Sequence, residues 1–380
     1  MQLSEQNQIL QHLVQINSVN GNEEAVATYV QELFADHGID SQLIPYAPGR
    51  SNLVAEIGDP ASDHVLALSG HLDTVATGDP ANWTFPPFDA HIENNVLYGR
   101  GSADMKSGLA GMVITFINLA DAHTALNGRL RFIGTVGEEN GAMGSRMLTQ
   151  QGLADDLDGL VIGEPTGGNL VYAHNGSLNY HVFCQGKGAH SSMPEKGINA
   201  ITNLIKFVTA EKTAFDNAPV SPELGPLVHN VTVFKGGEQV NSIPAAAELQ
   251  GNIRPIPEFD NQAVINRLHE VTDQLNAEPD VHLTLHVDYS FKPIISDPKN
   301  PLLALTKSLA DAEFGHPVEL QVIHGATDAS EFTKSANAFP VAVYGAGEWT
   351  AAHSTNESVD LDQFAHVQRV YQQLAEQFLA

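Results

Sequence analysis

Mostly apolar runs that end in acidic residues or histidine constrain the fold of this chain more than any other feature. The runs and the polar residues that follow them are 129–136 with Glu138 and Glu139, 65–68 with His71 and Asp73, and 160–162 with Glu164. Runs of this length predict buried strands. A carboxylate buried at a strand end is costly unless a cation or hydrogen bonds compensate for its desolvation. One such strand fits a salt bridge, whereas three predict a metal site.

Strand and helix patterns alternate around these runs, which predicts an open α/β sheet with mostly parallel strands. Residues 175–289 instead follow the order β-α-β-β-α-β of a ferredoxin-like unit, and the first pattern returns after residue 290. A chain of 380 residues fits about two domains. We therefore expect an α/β domain, formed by residues 1–174 and 290–380, that is interrupted by a smaller βαββαβ domain at residues 175–289.

Charge and composition exclude several classes of partner. The chain carries 45 acidic against 18 basic side chains, a net charge of −27, and such a surface repels nucleic acids and anionic membranes. No apolar stretch approaches the ~20 residues of a membrane span. The first seven residues show no secretory signal, which favours a cytoplasmic location. Cys184 is the only cysteine, so a disulfide framework and a thiolate metal cluster are both excluded.

Five side chains meet the topological requirement of a two-metal hydrolase. Such enzymes need a carboxylate that bridges ions ~3.5–4 Å apart, with further imidazole and carboxylate ligands at each ion. In an α/β sheet the ligands gather at the carboxyl ends of different strands. The candidates are His71, Asp104, Glu139, Glu164 and His353. Carboxylate and imidazole ligands suit zinc and related divalent ions.

Each candidate also has a structural interpretation when it is considered alone. A single histidine among 17 is more often a surface or core residue than a ligand. Asp73 fits a turn, Asp104 fits a helix N-cap, and Glu164 fits a plain strand end. Their shared position at strand ends favours the metal site.

Several segments resemble a known family, the co-catalytic zinc amidohydrolases and peptidases. The matching segments are Ser69–Val75 (SGHLDTV), Gly99–Gly108 (GRGSADMKSG), Gly137–Glu139 (GEE), Gly163–Thr166 (GEPT) and His353–Glu357 (HSTNE). The family includes succinyl-diaminopimelate desuccinylase, acetylornithine deacetylase, aminoacylases and glutamate carboxypeptidases. The resemblance covers nearly the whole chain and implies a dinuclear-metal catalytic domain with a ferredoxin-like lid.

The resemblance also implies a role for each residue of the catalytic domain. Asp104 would bridge two ions, zinc first and cobalt or manganese as alternatives. His71 and Glu164 would bind one ion, and Glu139 and His353 the other. Asp73 would orient the ring of His71, and Glu138 would be the general base. Adjacent side chains on an extended chain point in opposite directions, which agrees with separate roles for Glu138 and Glu139.

In the inserted domain, the segments around His190, Asn241 and Arg254 resemble parts of the family's lid. The resemblance implies that His190 stabilises the oxyanion and that Asn241 and Arg254 bind the substrate. Thr327 lies in a segment that resembles a loop at the substrate end. Taken alone, His190 fits a loop residue and Arg254 a surface ion pair. A homodimer through the lid is expected from the resemblance only.

The expected reaction is hydrolysis of a linear amide in a small N-acyl amino acid. The layout most resembles the desuccinylase and acetylornithine deacetylase branch of the family, and this resemblance implies N-succinyl-diaminopimelate as the favoured substrate, in lysine and diaminopimelate biosynthesis. This chain has His174-Asn175, Met193 and Glu331 where desuccinylases carry an arginine pair, a tyrosine and an arginine. Acetylornithine deacetylase, another deacylase, or a dipeptidase or carboxypeptidase therefore remain alternatives. A scaffold without activity is disfavoured because all ligand positions, Asp73 and Glu138 are intact.

Overall fold

Two units, each with its own sheet, make up the structure, a computed structural model that describes residues 1–380. The first unit comprises Met1–Tyr172, Ile295–Gln321 and Thr327–Ala380. The second unit comprises Ala173–Ile294 and Val322–Ala326. The domain boundaries expected from the sequence, and the lid function of the insertion, stay predictions.

The chain forms nine α-helices and four short 3₁₀ turns. The helices are α1 (Leu3–Gln15), α2 (Glu24–Asp36), α3 (Lys106–Asp121), α4 (Met143–Gln150), α5 (Ala200–Ala214), α6 (Asn261–Asn276), α7 (Pro301–Phe314), α8 (Ala329–Phe332) and α9 (Leu361–Phe378). The 3₁₀ turns are Pro80–Asn82, Glu138–Asn140, Pro194–Lys196 and Trp349–Ala351. None of the helices combines the length and the apolar character that crossing a membrane requires.

Twenty strands belong to five sheets. They are β1 (Ser41–Ala47), β2 (Arg50–Gly58), β3 (Val65–His71), β4 (His91–Glu93), β5 (Val96–Tyr98), β6 (Arg129–Thr135), β7 (Gly159–Ile162), β8 (Leu170–His174), β9 (Ser177–Gln185), β10 (Ala189–His190), β11 (Val220–Ser221), β12 (Gly225–Pro226), β13 (Val228–Gly236), β14 (Ser242–Ile243), β15 (Ala246–Arg254), β16 (Leu283–Phe291), β17 (Ile294–Ile295), β18 (Leu320–Ile323), β19 (Val341–Val343) and β20 (Ser358–Asp360).

The large sheet has parallel strands at its centre and antiparallel strands at its flanks. Its order is β1-β2-β6-β3-β7-β19-β8-β17, with β18 beside β8. The pairs β6/β3, β3/β7 and β7/β19 are parallel, whereas β1/β2, β2/β6 and β19/β8 are antiparallel. Every residue of β3 is buried, as expected for a strand with both faces covered. The predicted α/β fold class with a mostly parallel central sheet is confirmed.

Helix α3 packs against this sheet and against α9 with almost its entire surface. Thirteen of its sixteen residues are buried, so the helix is apolar all round rather than amphipathic. Gly108 permits a close approach, since a Cβ atom there would lie 2.0 Å from the main-chain oxygen of Gly163. The N-terminus of α3 is thereby held against the segment that follows β7.

The second unit has the predicted ferredoxin-like element order, β9-α5-β13-β15-α6-β16. Its antiparallel sheet is ordered β13-β15-β9-β16. Burial alternates along β15, because its two faces meet different surroundings. The inner positions join residues of α5 and α6, among them Leu204, Phe207 and Leu268, in a separate hydrophobic core.

Candidate metal centre

The carboxyl ends of three neighbouring parallel strands supply the centre. His71 is the last residue of β3 and pairs in register with Thr135, the last residue of β6. Glu164 follows β7 by two residues. Adjacent parallel strands end at the same edge of a sheet, which is where α/β proteins gather ligands.

Asp104 lies between two histidines, and each histidine faces a different oxygen of its carboxylate. His71 Nε2 is 3.0 Å from Asp104 Oδ1, and His353 Nε2 is 3.3 Å from Asp104 Oδ2. His353 Nε2 also lies 3.0 Å from the Glu139 carboxylate, and His71 Nε2 lies 3.8 Å from Glu164 Oε1. The five side chains that the sequence predicts as ligands are therefore brought together in one cluster.

The ring of His71 is oriented through its other nitrogen. Nδ1 is 2.9 Å from the main-chain oxygen of Asp73 and 3.6 Å from its carboxylate. The carbonyl acceptor fixes the proton on Nδ1 and leaves Nε2 as a ligand atom. The Asp73 carboxylate instead accepts hydrogen bonds from the main-chain N–H groups of Glu138 and Glu139, both at 3.2 Å. Asp73 thus connects the ends of β3 and β6.

Glu138 and Glu139 lie on a 3₁₀ turn and not on an extended strand, so the extended-chain reason for separating them is wrong. Strand β6 ends at Thr135, and Gly137, at φ 69°, starts the turn Glu138–Asn140. The turn directs the two carboxylates to different partners. Ligand atoms of His71, Asp104 and Glu139 all lie within 4.8 Å of one another, as do those of His71, Glu138 and Glu164. The separation of the two side chains remains, but a different local geometry produces it.

Negative charge in the cluster far exceeds what the protein itself neutralises. Within the first unit, the only ion-pair partners of Asp104, Glu139 and Glu164 are the two histidines. Asp104 and Glu164 are buried, at 7% and 4% exposure. Burying carboxylates without a counter-charge is strongly unfavourable. The donor set therefore fits divalent cations, whose charge would compensate for this burial.

The same excess of buried negative charge raises the pKa values of Glu138, His353 and His71. Burial, and then the charge of Glu164, raise the pKa of Glu138 well above its ordinary value. Hydrogen bonds to Asp104 and Glu139 raise the pKa of His353 to about 10. For His71, burial opposes protonation, but the hydrogen bond to Asp104 and the charges of Glu164 and Asp73 outweigh it and raise its pKa well above 6.5. Each shift reflects both burial and the concentration of carboxylates in the cluster.

A buried aspartate next to the cluster was not singled out from the sequence. Asp328 accepts hydrogen bonds from the hydroxyl groups of Thr135 and Ser145, both at 2.5 Å. It connects the end of β6 with α4, and only 2% of its surface is exposed. It lies in the segment 325–328, which resembles a loop at the substrate end, but that segment does not indicate these contacts, because the partners are 193 and 183 residues away along the chain.

Two of the predicted residues of the inserted domain are neighbours within the second unit. His190 on β10 pairs with Ser242 on β14, and the N–H of Ser191 donates to the main-chain oxygen of Asn241 at 3.0 Å. His190 and Asn241 are both exposed.

Arg254, the third predicted residue of the insertion, ends β15. It is partly buried, and no acidic side chain in the second unit pairs with it. Burial lowers the pKa of its guanidinium. The surface ion pair considered from the sequence is therefore not formed within this unit.

Thr327 belongs to the first unit and is buried at the start of α8. Its hydroxyl accepts a hydrogen bond from the N–H of Ala329 at 3.2 Å. This contact stabilises the turn that precedes the helix. A role of Thr327 in substrate binding stays a prediction.

Comparisons with known proteins agree with this geometry. The model of the peptidase family M20/M25/M40 matches residues 67–377. A Staphylococcus epidermidis protein named "Probable succinyl-diaminopimelate desuccinylase" is 35% identical, and the alignment covers 99% of each chain. An M20-family metallo-carboxypeptidase from Sulfolobus solfataricus superposes with a TM-score of 0.83 at 18% identity, covering 98% of this chain and 99% of that one. A dinuclear metal-binding M20 peptidase from Bacillus subtilis superposes with a TM-score of 0.75 at 16% identity, covering 99% and 98%.

Proposed function

The chain belongs to the peptidase family M20/M25/M40, and on that basis we propose that it is a dinuclear metal-dependent amide hydrolase that deacylates N-acyl amino acids. The preferred substrate is N-succinyl-diaminopimelate, the compound named for relatives that align over nearly the whole chain. The observation that carries the proposal is the position of Asp104 between His71 and His353, with one carboxylate oxygen facing each imidazole.

In this proposal five residues would hold two divalent ions, with zinc preferred and cobalt or manganese as alternatives. Asp104 would be the shared ligand, His71 and Glu164 would hold one ion, and Glu139 and His353 would hold the other. The chemistry that such ions supply is polarisation of an amide carbonyl and a lowered pKa of a water molecule. Asp73 keeps His71 in the tautomer that exposes Nε2, through the contact at 2.9 Å.

Glu138 is assigned as the general base and acid. It takes a proton from the attacking water and delivers it to the amine nitrogen that leaves. Its carboxylate lies near His71 and Glu164 and forms no ion pair with lysine or arginine in the first unit. Burial raises its pKa, which favours a group that can hold a proton between the two steps.

The second unit supplies groups suited to the substrate. The N–H of Ser192 donates to Nδ1 of His190 at 3.2 Å, so a neutral ring carries its proton on Nε2 and donates from there. Such a donor is needed where negative charge develops on the carbonyl oxygen. We assign that role to His190, and binding of a substrate carboxylate to Arg254, with Asn241 as a further polar contact. A homodimer through this unit and a cytoplasmic location stay predictions.

A peptidase or a different deacylase is the second candidate. Where desuccinylases carry an arginine pair, this chain has His174 and Asn175, and both are buried. Burial lowers the pKa of His174 to about 4, so this imidazole is neutral and offers no charge to a succinyl carboxylate. Structures with the same fold include a metallo-carboxypeptidase. N-acetylornithine and small dipeptides are therefore the competing substrates.

The test is amide hydrolysis by the zinc-loaded enzyme with N-succinyl-L,L-diaminopimelate, N-acetylornithine and a dipeptide panel. We expect kcat/KM for the succinyl compound to exceed the others by about 100-fold, or ~2.7 kcal/mol. Preference for another amide would contradict the proposed substrate but would agree with the proposed amide hydrolase activity. No hydrolysis of any amide, with two ions bound, would contradict the enzymatic function itself.

A further inference from the structure

Glu357 is a completely buried carboxylate that holds the turn before Asp104. Its Oε1 accepts hydrogen bonds from the N–H groups of Ala103 and Asp104, both at 2.9 Å. Its Oε2 accepts one from the N–H of Gly101 at 3.0 Å and one from Arg100 Nη1 at 2.6 Å. All four donors belong to five consecutive residues, so one side chain determines the course of the main chain there.

The turn has no regular secondary structure of its own to fix it. Gly101 has φ 85°, and a Cβ atom there would lie 2.7 Å from the side chain of Thr74. The N–H of Asp104 is used by Glu357 and by no helix, since α3 begins only at Lys106. The main-chain oxygen of Glu357 also accepts from the N–H of Gly99 at 2.9 Å. Both the side-chain carboxylate and the main-chain oxygen of Glu357 therefore hold residues 99–104 in place.

The chain that carries Glu357 also carries His353, four residues earlier. Between them, Asn356 Oδ1 accepts from the N–H of Thr84 at 2.7 Å. Directly after Glu357, β20 pairs with β5. This segment is thus anchored on both sides of Glu357 and linked to the turn that carries Asp104, whose Oδ2 lies 3.3 Å from His353 Nε2.

We propose that Glu357 is a positioning residue that sets the spacing between Asp104 and His353, and through it the affinity of the centre for its second ion. It contacts neither ion nor substrate and acts through the main chain of residues 101–104. The inference rests on the proposed dinuclear centre. Removal of groups that orient metal ligands commonly costs about 10- to 100-fold in metal affinity.

The test compares Glu357→Gln with the wild type and with Glu348→Gln, an exposed glutamate of the same segment. The amide introduced by Glu357→Gln keeps the size of the side chain but turns an NH₂ group toward two of the four donors. Bound ions per chain and the dissociation constant of the weaker ion are measured by chelator competition. Circular dichroism and the KM and kcat for the preferred amide are measured on the same samples.

We expect Glu357→Gln to remain folded, to bind its weaker ion about 10- to 100-fold less tightly, and to lose kcat at subsaturating zinc with little change in KM. Glu348→Gln should match the wild type. A wild-type protein that does not bind two ions would contradict the proposed function as well. If the wild-type protein binds two ions and Glu357→Gln binds both with affinities within about threefold of the wild-type values, the proposed role of Glu357 is contradicted. The proposed function is then unaffected.

If Glu357→Gln does not fold, Glu357→Asp is the variant that tests the role of Glu357. The shorter side chain keeps the charge opposite Arg100 but cannot reach both pairs of donors at once. Weaker binding of the second ion by folded Glu357→Asp supports the proposal, and wild-type affinity overturns it. Loss of folding in both variants also overturns it, because the residue would then serve the fold in general and not the spacing of the ligands.

Discussion

Asp104 is the residue on which the candidate centre depends, because it alone contacts both histidines. It is buried, it has no lysine or arginine partner, and its two oxygens face different imidazoles. Burial opposes ionisation of Asp104, but hydrogen bonds with His353 and His71 outweigh it and lower its pKa. The carboxylate is therefore charged and available as a ligand throughout the neutral range.

Replacing Asp104 by alanine should reduce the number of bound ions below two. Without the carboxylate, the two ligand pairs lose the group that both would share. Metal analysis of dialysed protein measures the stoichiometry, and Asp63→Ala, at an exposed aspartate of the same unit, is the control. Two ions retained by Asp104→Ala would contradict the bridging role.

Glu138→Gln should abolish turnover while the metal content stays at the wild-type value. The amide has the size of the carboxylate but cannot take a proton, and positioned general bases contribute about 10²- to 10⁴-fold. Steady-state kinetics and metal analysis are carried out together, with exposed Glu93→Gln as the matched control. Activity within about tenfold of the wild type, ~1.4 kcal/mol of barrier, would show the assignment to be wrong.

The individual residues that could be predicted are those whose chemistry is visible next to a strand end. His71, Glu139 and Glu164 lie at or just after the ends of β3, β6 and β7. The structure brings them together with Asp104, which lies in the turn before α3, and His353, which follows a 3₁₀ turn. Asp328 could not be predicted, because its partners Thr135 and Ser145 are joined to it only by the fold. The 3₁₀ turn at Glu138 cannot be predicted either, because nothing in Gly137-Glu138-Glu139 distinguishes a turn from an extended chain after the strand.

Helix α3 closely approaches the main chain that follows strand β7 at the centre. Gly108 of α3 lies against the main chain of Gly163, the residue before Glu164. A backbone oxygen cannot move aside as a flexible side chain can, so the space at this contact is strictly limited.

Gly108→Ala should therefore destabilise the protein by about 3 kcal/mol or more, because its Cβ atom would lie 2.0 Å from Gly163 O. Gly111→Ala is the matched control on the same helix, since its Cβ atom would meet the ring of Tyr371 at 3.2 Å and no main-chain atom closer than Gln368 Cα at 3.7 Å. Alanine improves helix propensity by up to about 1 kcal/mol at both positions. Thermal unfolding with and without zinc measures the difference. Equal stability of the two variants would contradict the contact.

Long elements could be predicted from the sequence, and short ones could not. Helices α3, α7 and α9 and strands β3 and β6 have enough residues for their hydrophobic pattern to be visible. The bridges β10, β11 and β14, each two residues long, carry no pattern at all. Strand β1, at the antiparallel edge of the large sheet, cannot be predicted either, because it contains Pro45 and none of its residues is fully buried.

For the whole molecule, the dominant feature is an excess of negative charge, both overall and in the centre. The net charge is −27, and the candidate centre adds buried carboxylates to that repulsion. Ions that bind only the folded state stabilise it in proportion to the logarithm of their concentration.

Removal of metal should therefore lower the Tm of the wild-type protein, and zinc should restore it. A free ion concentration about 100-fold above its dissociation constant contributes ~2.7 kcal/mol. Differential scanning calorimetry with chelator and then with excess zinc measures the shift. Asp104→Ala should show a much smaller response. An unchanged wild-type Tm after complete removal of metal would contradict the view that ions compensate for the buried charge.

The sheet order has a consequence for how the protein is made. Strand β19 comes late in the chain but lies between β7 and β8, and His353 follows it. While a ribosome extends the chain from its N-terminus, four of the five candidate ligands emerge long before the fifth. The second unit can fold during that interval, because its own elements are nearly contiguous. The large sheet lacks one neighbour of β7 until β19 has been synthesised, and the five candidate ligands can come together only after His353 has emerged.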